Sequence, residues 1–157
     1  MPIDISAELK HLESQVLDPD RLRLAFAHAC AERVRHLLED AEVLRCLEVL
    51  ADYLSGHVDH GALTQAAAVA TSLANRHQGS RSLDGVGHAA VSASYAVANA
   101  LAGRAAQAAE YAAYAAVYGG GGYGAVSDPE SFVPEREWQS AKLHELATSL
   151  ATSASAA

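Results

Sequence analysis

The sequence predicts an all-α protein, a single compact, alanine-rich bundle of about six to seven helices. Three observations carry that prediction. Between Val86 and Tyr118 nearly every second residue is alanine, with no proline and only two glycines, Gly87 and Gly103. Alanine has the best intrinsic helix propensity, and its small side chain lets helix backbones approach closely. Elsewhere apolar residues recur at three- and four-residue spacing with almost no alternation of period two, and glycine or proline separates the periodic segments.

The elements follow in order. A first helix is expected from Ile3 to about Leu17, with Leu9, Leu12 and Val16 on one face, broken by Asp18-Pro19-Asp20, which can cap the next. A second, Arg21 to about Glu39, sets Leu22, Phe26, Ala29, Cys30, Arg33, Val34 and Leu37 on one stripe, so a core face contains an arginine. Such an arginine calls for a carboxylate from another helix. A third, about Ala41 to Ser55, carries Leu44, Leu47, Ala51 and Leu54 and stops at Gly56, where a left-handed cap is cheap. A fourth starts at Asp59 or His60 with Leu63, Ala66, Ala70 and Leu73, and fades through Gln78-Gly79-Ser80. A fifth runs from about Asp84 with Val86, Ala90, Ala93, Val97 and Leu101 along one edge. A sixth covers Arg104 to Tyr118, and the run from Gly119 to Gly124 is expected to end it as a flexible connection or a mobile loop displaying Tyr123. After Pro129 a last helix spans Pro134 to Leu150 with Trp138, Leu143, Ala147 and Leu150 apolar. Residues 1–150 form one domain, and 151–157 read as a low-complexity tail that frays.

At 157 residues the chain is large enough for one core. Its formal charge of −8, from 19 acidic against 11 basic side chains, argues against nucleic acid or an anionic membrane as the main partner and favours a basic one. Met1-Pro2-Ile3-Asp4 shows no basic region followed by an apolar run, and no stretch has the apolar length that a bilayer crossing needs, so a cytoplasmic protein is expected. Cys30 and Cys46 fall inside helical patterns and outside CxxC or Cys/His finger spacing, which predicts buried, reduced thiols.

Residues able to do chemistry are few. His28, Glu32 and His36 sit at i, i+4 and i+8, but the two histidines are separated by about 12 Å of helical rise, too far for one metal centre. A solvated stripe explains them. His57 and His60 flank Asp59, which reads better as an N-cap than as part of a metal site. The glycine run lacks the Lys-Ser or Lys-Thr of a phosphate loop and follows a helix instead of a strand. No serine lies in a GxSxG elbow, and Cys30 on an apolar stripe disfavours a thiolate. No metal, no cofactor and no enzymatic activity are therefore expected. What remains are surfaces for a protein partner: the acidic corner Glu39, Asp40 and Glu42; the tyrosines Tyr111, Tyr114 and Tyr118, which share one helical face; and Tyr123.

The stretch Leu22-Arg23-Leu24-Ala25-Phe26-Ala27-His28-Ala29-Cys30-Ala31-Glu32-Arg33-Val34, followed by a leucine-rich helix ending Tyr53-Leu54-Ser55-Gly56, resembles the immunity protein 5 and 5-like group of all-α immunity proteins from bacterial polymorphic toxin systems. Alanine-rich segments such as Ala66-Ala67-Ala68 and Ala89 to Ala116 extend the likeness, which covers about Leu22 to Tyr118. Between the two helices the family often carries an aspartate and an Arg-Pro-Arg-like element; here the chain reads Glu39-Asp40-Ala41-Glu42-Val43-Leu44-Arg45. The resemblance implies a protein that binds and neutralises a cognate toxin. A helical scaffold or adaptor of another ligand is the alternative, and a helical metal-dependent hydrolase a third.

Overall fold

The structure, a computed structural model, describes residues 2–77 and 86–156. Among them are seven α-helices and no strand: α1 (Ile5–Glu13), α2 (Pro19–Arg33), α3 (Ala41–Leu54), α4 (His60–Arg76), α5 (Val86–Leu101), α6 (Ala105–Val126) and α7 (Val133–Ala156). Short 3₁₀ turns at Arg35–Leu37 and Pro129–Phe132 lead into α3 and α7. The fading of α4 through Gln78-Gly79-Ser80 and the start of α5 at Asp84 lie outside the described residues.

Aspartate starts four of the helices. The carboxylates of Asp4, Asp18, Asp40 and Asp59 accept the backbone N–H of Ala7, Arg21, Glu42 and Ala62 at 2.8–3.1 Å, each such cap contributing about 0.5–2 kcal/mol. Glycine ends two. Gly56 (φ +80°) and Gly103 (φ +77°) turn left-handed, and the next N–H groups, of His57 and Arg104, donate back to Asp52 and Asn99 at 2.8 and 2.9 Å.

Helix α2 is the central strut, packed against α3, α5, α6 and α7. Leu22, Phe26, Ala27, Cys30, Ala31 and Val34 are at most 1% exposed, and burying a leucine or phenylalanine fully is worth about 1.5–3 kcal/mol each. Opposite it, α5 and α6 form the most extensive helix pair. Their shared face is almost entirely small: Ala93, Ala96, Ala100, Ala108, Ala109 and Ala115 are fully buried. Alanine is what allows two helices to pack along their whole length and still receive α2.

Several boundaries differ from the sequence reading. Helix α1 stops at Glu13, because the Ser14 hydroxyl donates to the His11 carbonyl (2.6 Å) and the chain turns toward Asp18. Helix α2 ends at Arg33 and tightens into the first 3₁₀ turn, which lays Leu37 against Gly119 of α6. On α3 the deepest residues are Val43, Cys46, Leu47 and Leu50, while Leu44, Ala51 and Leu54 are half-buried; the helix is rotated relative to the expected stripe. The backbone of α7 continues as helix beyond Leu150 to Ala156.

The largest correction concerns the glycine run. It does not end α6: Gly119, Gly120 and Gly121 remain helical, and the chain kinks at Gly122 (φ 65°, ψ −152°) before another helical turn that includes Tyr123. That backbone conformation is open only to glycine. Each helical glycine costs about 0.8–1 kcal/mol relative to alanine, and the packing of Leu37 on Gly119 offsets it, since a Cβ there would come within 3.1 Å of the leucine.

Candidate functional site

Because the helices alternate in direction, α2, α4 and α6 finish at the end of the bundle where α3, α5 and α7 begin. Glu39 is held there by His77 at the close of α4 (Nε2 to carboxylate 3.2 Å). Asp40 caps α3, and Glu42 stands exposed in its first turn. The acidic corner is thus partly the capping apparatus of α3, where negative charge also complements the helix dipole.

At the same end the aromatic residues gather. Tyr118 stacks on His88 from the first turn of α5 (centroids 5.3 Å, interplanar 25°) and meets Tyr123 edge-on at 5.9 Å. His88 also meets Tyr123 at 5.3 Å, and Tyr114 lies 6.4 Å from Tyr118 and packs edge-on against Phe132 at 5.0 Å. One turn along α6, Tyr111 pairs instead with Tyr95 (5.2 Å, 24°), whose hydroxyl donates to Asn75 of α4 at 2.7 Å. Five of the six tyrosines of the chain lie on α5 and α6. Tyr111, Tyr114 and Tyr123 are 38, 37 and 42% exposed; Tyr118 is half-buried beneath its neighbours.

The predicted stripe of Tyr111, Tyr114 and Tyr118 is present, but it divides into two groups, and Tyr123 belongs to the second because the Gly122 kink folds it back. His88 and Phe132 are members that sequence reasoning missed. Both contacts cross between elements, and only the shared aromatic character of the residues pointed to them.

A concavity of about 620 Å³ runs between α2 and α7 over Ala25 and Ala29, walled by Trp138 and Leu146. Its charges are committed to neighbours. Arg33 is bound bidentately by Glu135 of α7 (2.8 and 3.1 Å) and stacks over Trp138 at 4.4 Å, while Lys142 reaches Glu145 at 3.5 Å. The carboxylate expected for Arg33 exists; its burial does not, for the guanidinium is about a third exposed at the rim of the core. Glu135 holds Arg33 further in its charged form. His28 lies on this groove instead of a solvated stripe: its Nε2 is buried 3.6 Å from Glu32, beyond hydrogen-bond reach, and burial pushes its pKa down. His36 sits apart on the 3₁₀ turn.

Among the described residues no three His, Cys, Asp or Glu side chains converge as metal ligands, and no helix is long and apolar enough to cross a membrane. Cys30 and Cys46 are both buried free thiols, and burial raises the pKa of each. Gln139, fully buried on α7, donates to the Ala109 carbonyl at 2.8 Å and latches α7 to α6. The chain matches no family model, no curated protein and no solved structure.

Proposed function

We propose that this chain is an immunity protein: it binds a cognate toxin in the cytoplasm of the cell that makes both, and neutralises it by covering a surface, with no chemistry of its own. The observation that carries this reading is the tyrosine face of α5 and α6. The rings are packed edge-to-face and stacked on one another, so they are pre-ordered and lose little freedom on binding. Tyrosine is enriched among residues that dominate interface energies. The acidic corner at the same end and the net charge of −8 would steer a basic toxin toward it. The resemblance of Leu22 to Tyr118 to the immunity protein 5 group supports the same reading.

Co-expression with the toxin-like product of the neighbouring gene tests it: the parent chain rescues growth, and Tyr114→Ser with Tyr123→Ser does not. In binding kinetics, Glu39→Lys with Glu42→Lys slows association, and added salt narrows the difference from the parent. Asp40 is left in place, because its carboxylate caps α3. Failure of the parent to bind or rescue against any neighbouring toxin puts the adaptor reading first.

A further inference from the structure

A separate concavity of about 410 Å³ opens where α4, α5 and the start of α6 meet, within the span of about 300–1,000 Å³ usual for small-molecule sites. Its lining is rich in donors and positively charged. Asn75 of α4, Tyr95 and Asn99 of α5, and Gln107 and Tyr111 of α6 surround it, with Arg104 from the turn before α6. Among the described residues no aspartate or glutamate belongs to this lining, although the chain carries 19 acidic against 11 basic side chains.

The contacts within the site leave donors over. Asn75 Oδ1 accepts the Tyr95 hydroxyl at 2.7 Å, and the Tyr95 carbonyl accepts the Asn99 amide at 2.8 Å, so the amide nitrogen of Asn75 still has its protons to give. Arg104 adds a charged fork. Among the described residues its guanidinium has neither a hydrogen bond nor an ion pair, whereas Arg23, Arg33 and Arg35 each hold a carboxylate. Tyr95 and Tyr111 complete the lining as a stacked pair of rings (5.2 Å, 24°), and Tyr111 remains exposed. A guanidinium forks onto a carboxylate, and open ring surface is covered favourably by another aromatic group.

We infer that this concavity binds a small aromatic carboxylate, its charge on Arg104 and its ring against Tyr95 and Tyr111, with the amides of Asn75 and Gln107 supplying further donors. The site is distinct from the Tyr114–Tyr118–Tyr123 cluster and holds whether or not the chain blocks a toxin. The full chain, carrying ¹³C in its aromatic rings, is titrated with β-naphthoate, with β-naphthamide, which keeps the shape and loses the charge, and with the fully hydrogenated carboxylate, which keeps the charge and loses the aromatic face. The ring signals of Tyr95 and Tyr111 should move and saturate with naphthoate, at an affinity at least about fivefold above either analogue.

Arg104→Gln should melt like the parent, because that side chain is exposed, and should bind naphthoate no better than naphthamide. Arg104→Lys should regain only part of the affinity, since an ammonium has no fork. Equal affinity for naphthoate and naphthamide, equal affinity for naphthoate and its hydrogenated form, parental binding by Arg104→Gln, or ring signals that never saturate would each overturn the inference. A saturable shift confined to the Trp138 indole would put the ligand in the groove between α2 and α7 and overturn it as well.

Discussion

Burial holds the His28 imidazole below its ordinary value of 6.5; the desolvation cost outweighs the pull of Glu32, and Arg35 lowers it further. In the unfolded chain that ring protonates normally. Between the depressed folded pKa and about 6.5 the unfolded state therefore binds more protons, so stability is complete above that window and declines as pH falls through it. Melting temperatures taken from pH 7.5 to 5 should drop, and His28→Gln should flatten the drop. An unchanged slope would mean that another group drives it. Arg33 gives a second residue-level expectation. A fully buried pair would cost about 3–5 kcal/mol to break, but this guanidinium is about a third exposed. Arg33→Ala should cost only about 1–2 kcal/mol from lost pairing and stacking. Arg33→Lys should recover less than half of it, since an ammonium loses both the fork and the stack; a denaturant midpoint equal to the parent's for either variant would refute the assignment.

At the scale of the helix, the kink of α6 is the feature most open to challenge by substitution. Gly122→Ala places a Cβ in a conformation reserved for glycine and should destabilise by about 1–3 kcal/mol. If the kink were incidental, alanine would straighten the helix and stabilise it, and the sign of the shift in melting temperature decides. Much of the element order was legible in the chain, and the reasons are local. Asp18-Pro19, Asp59, Gly56 and Gly103 each act within one turn of their own position, so their roles can be read without a partner. The errors arose where partners are distant. The glycine run looks like a terminator until Leu37, some eighty residues earlier, is set against Gly119. Likewise the face of α3 that goes deepest is chosen by where α2 and α4 lie, and Leu44 and Leu47 carry no mark that tells them apart. For the candidate site, the i, i+3, i+7 spacing showed that three tyrosines share a face, but neither the split between Tyr111 and the rest nor the arrival of His88 and Phe132 is encoded in spacing.

For the whole molecule, the governing fact is a core built from one rich strut, α2, and one lean pair, α5 and α6. Ala93 of α5 is fully buried in the core, so Ala93→Leu should overpack and cost about 1–3 kcal/mol; a midpoint matching the parent's would place that residue outside the core. An alanine-to-valine change at exposed Ala68 of α4 provides the contrast, with an expected effect within about 0.5 kcal/mol.

The two thiols divide this architecture into zones that open on different occasions. Cys30 is sealed in the last turn of α2, 1% exposed, whereas Cys46 is 6% exposed and borders a groove between α3 and α4. A maleimide added to the native protein reads each as a clock. Cys46 should be modified when the α3–α4 hairpin breathes, a partial opening that leaves the strut intact, while Cys30 should wait for the whole bundle to come apart. Mass spectra collected over time would then show a singly labelled species that builds up before the doubly labelled one, with peptide mapping placing the first label on Cys46. Simultaneous loss of both thiols would mean that the bundle opens only as one unit.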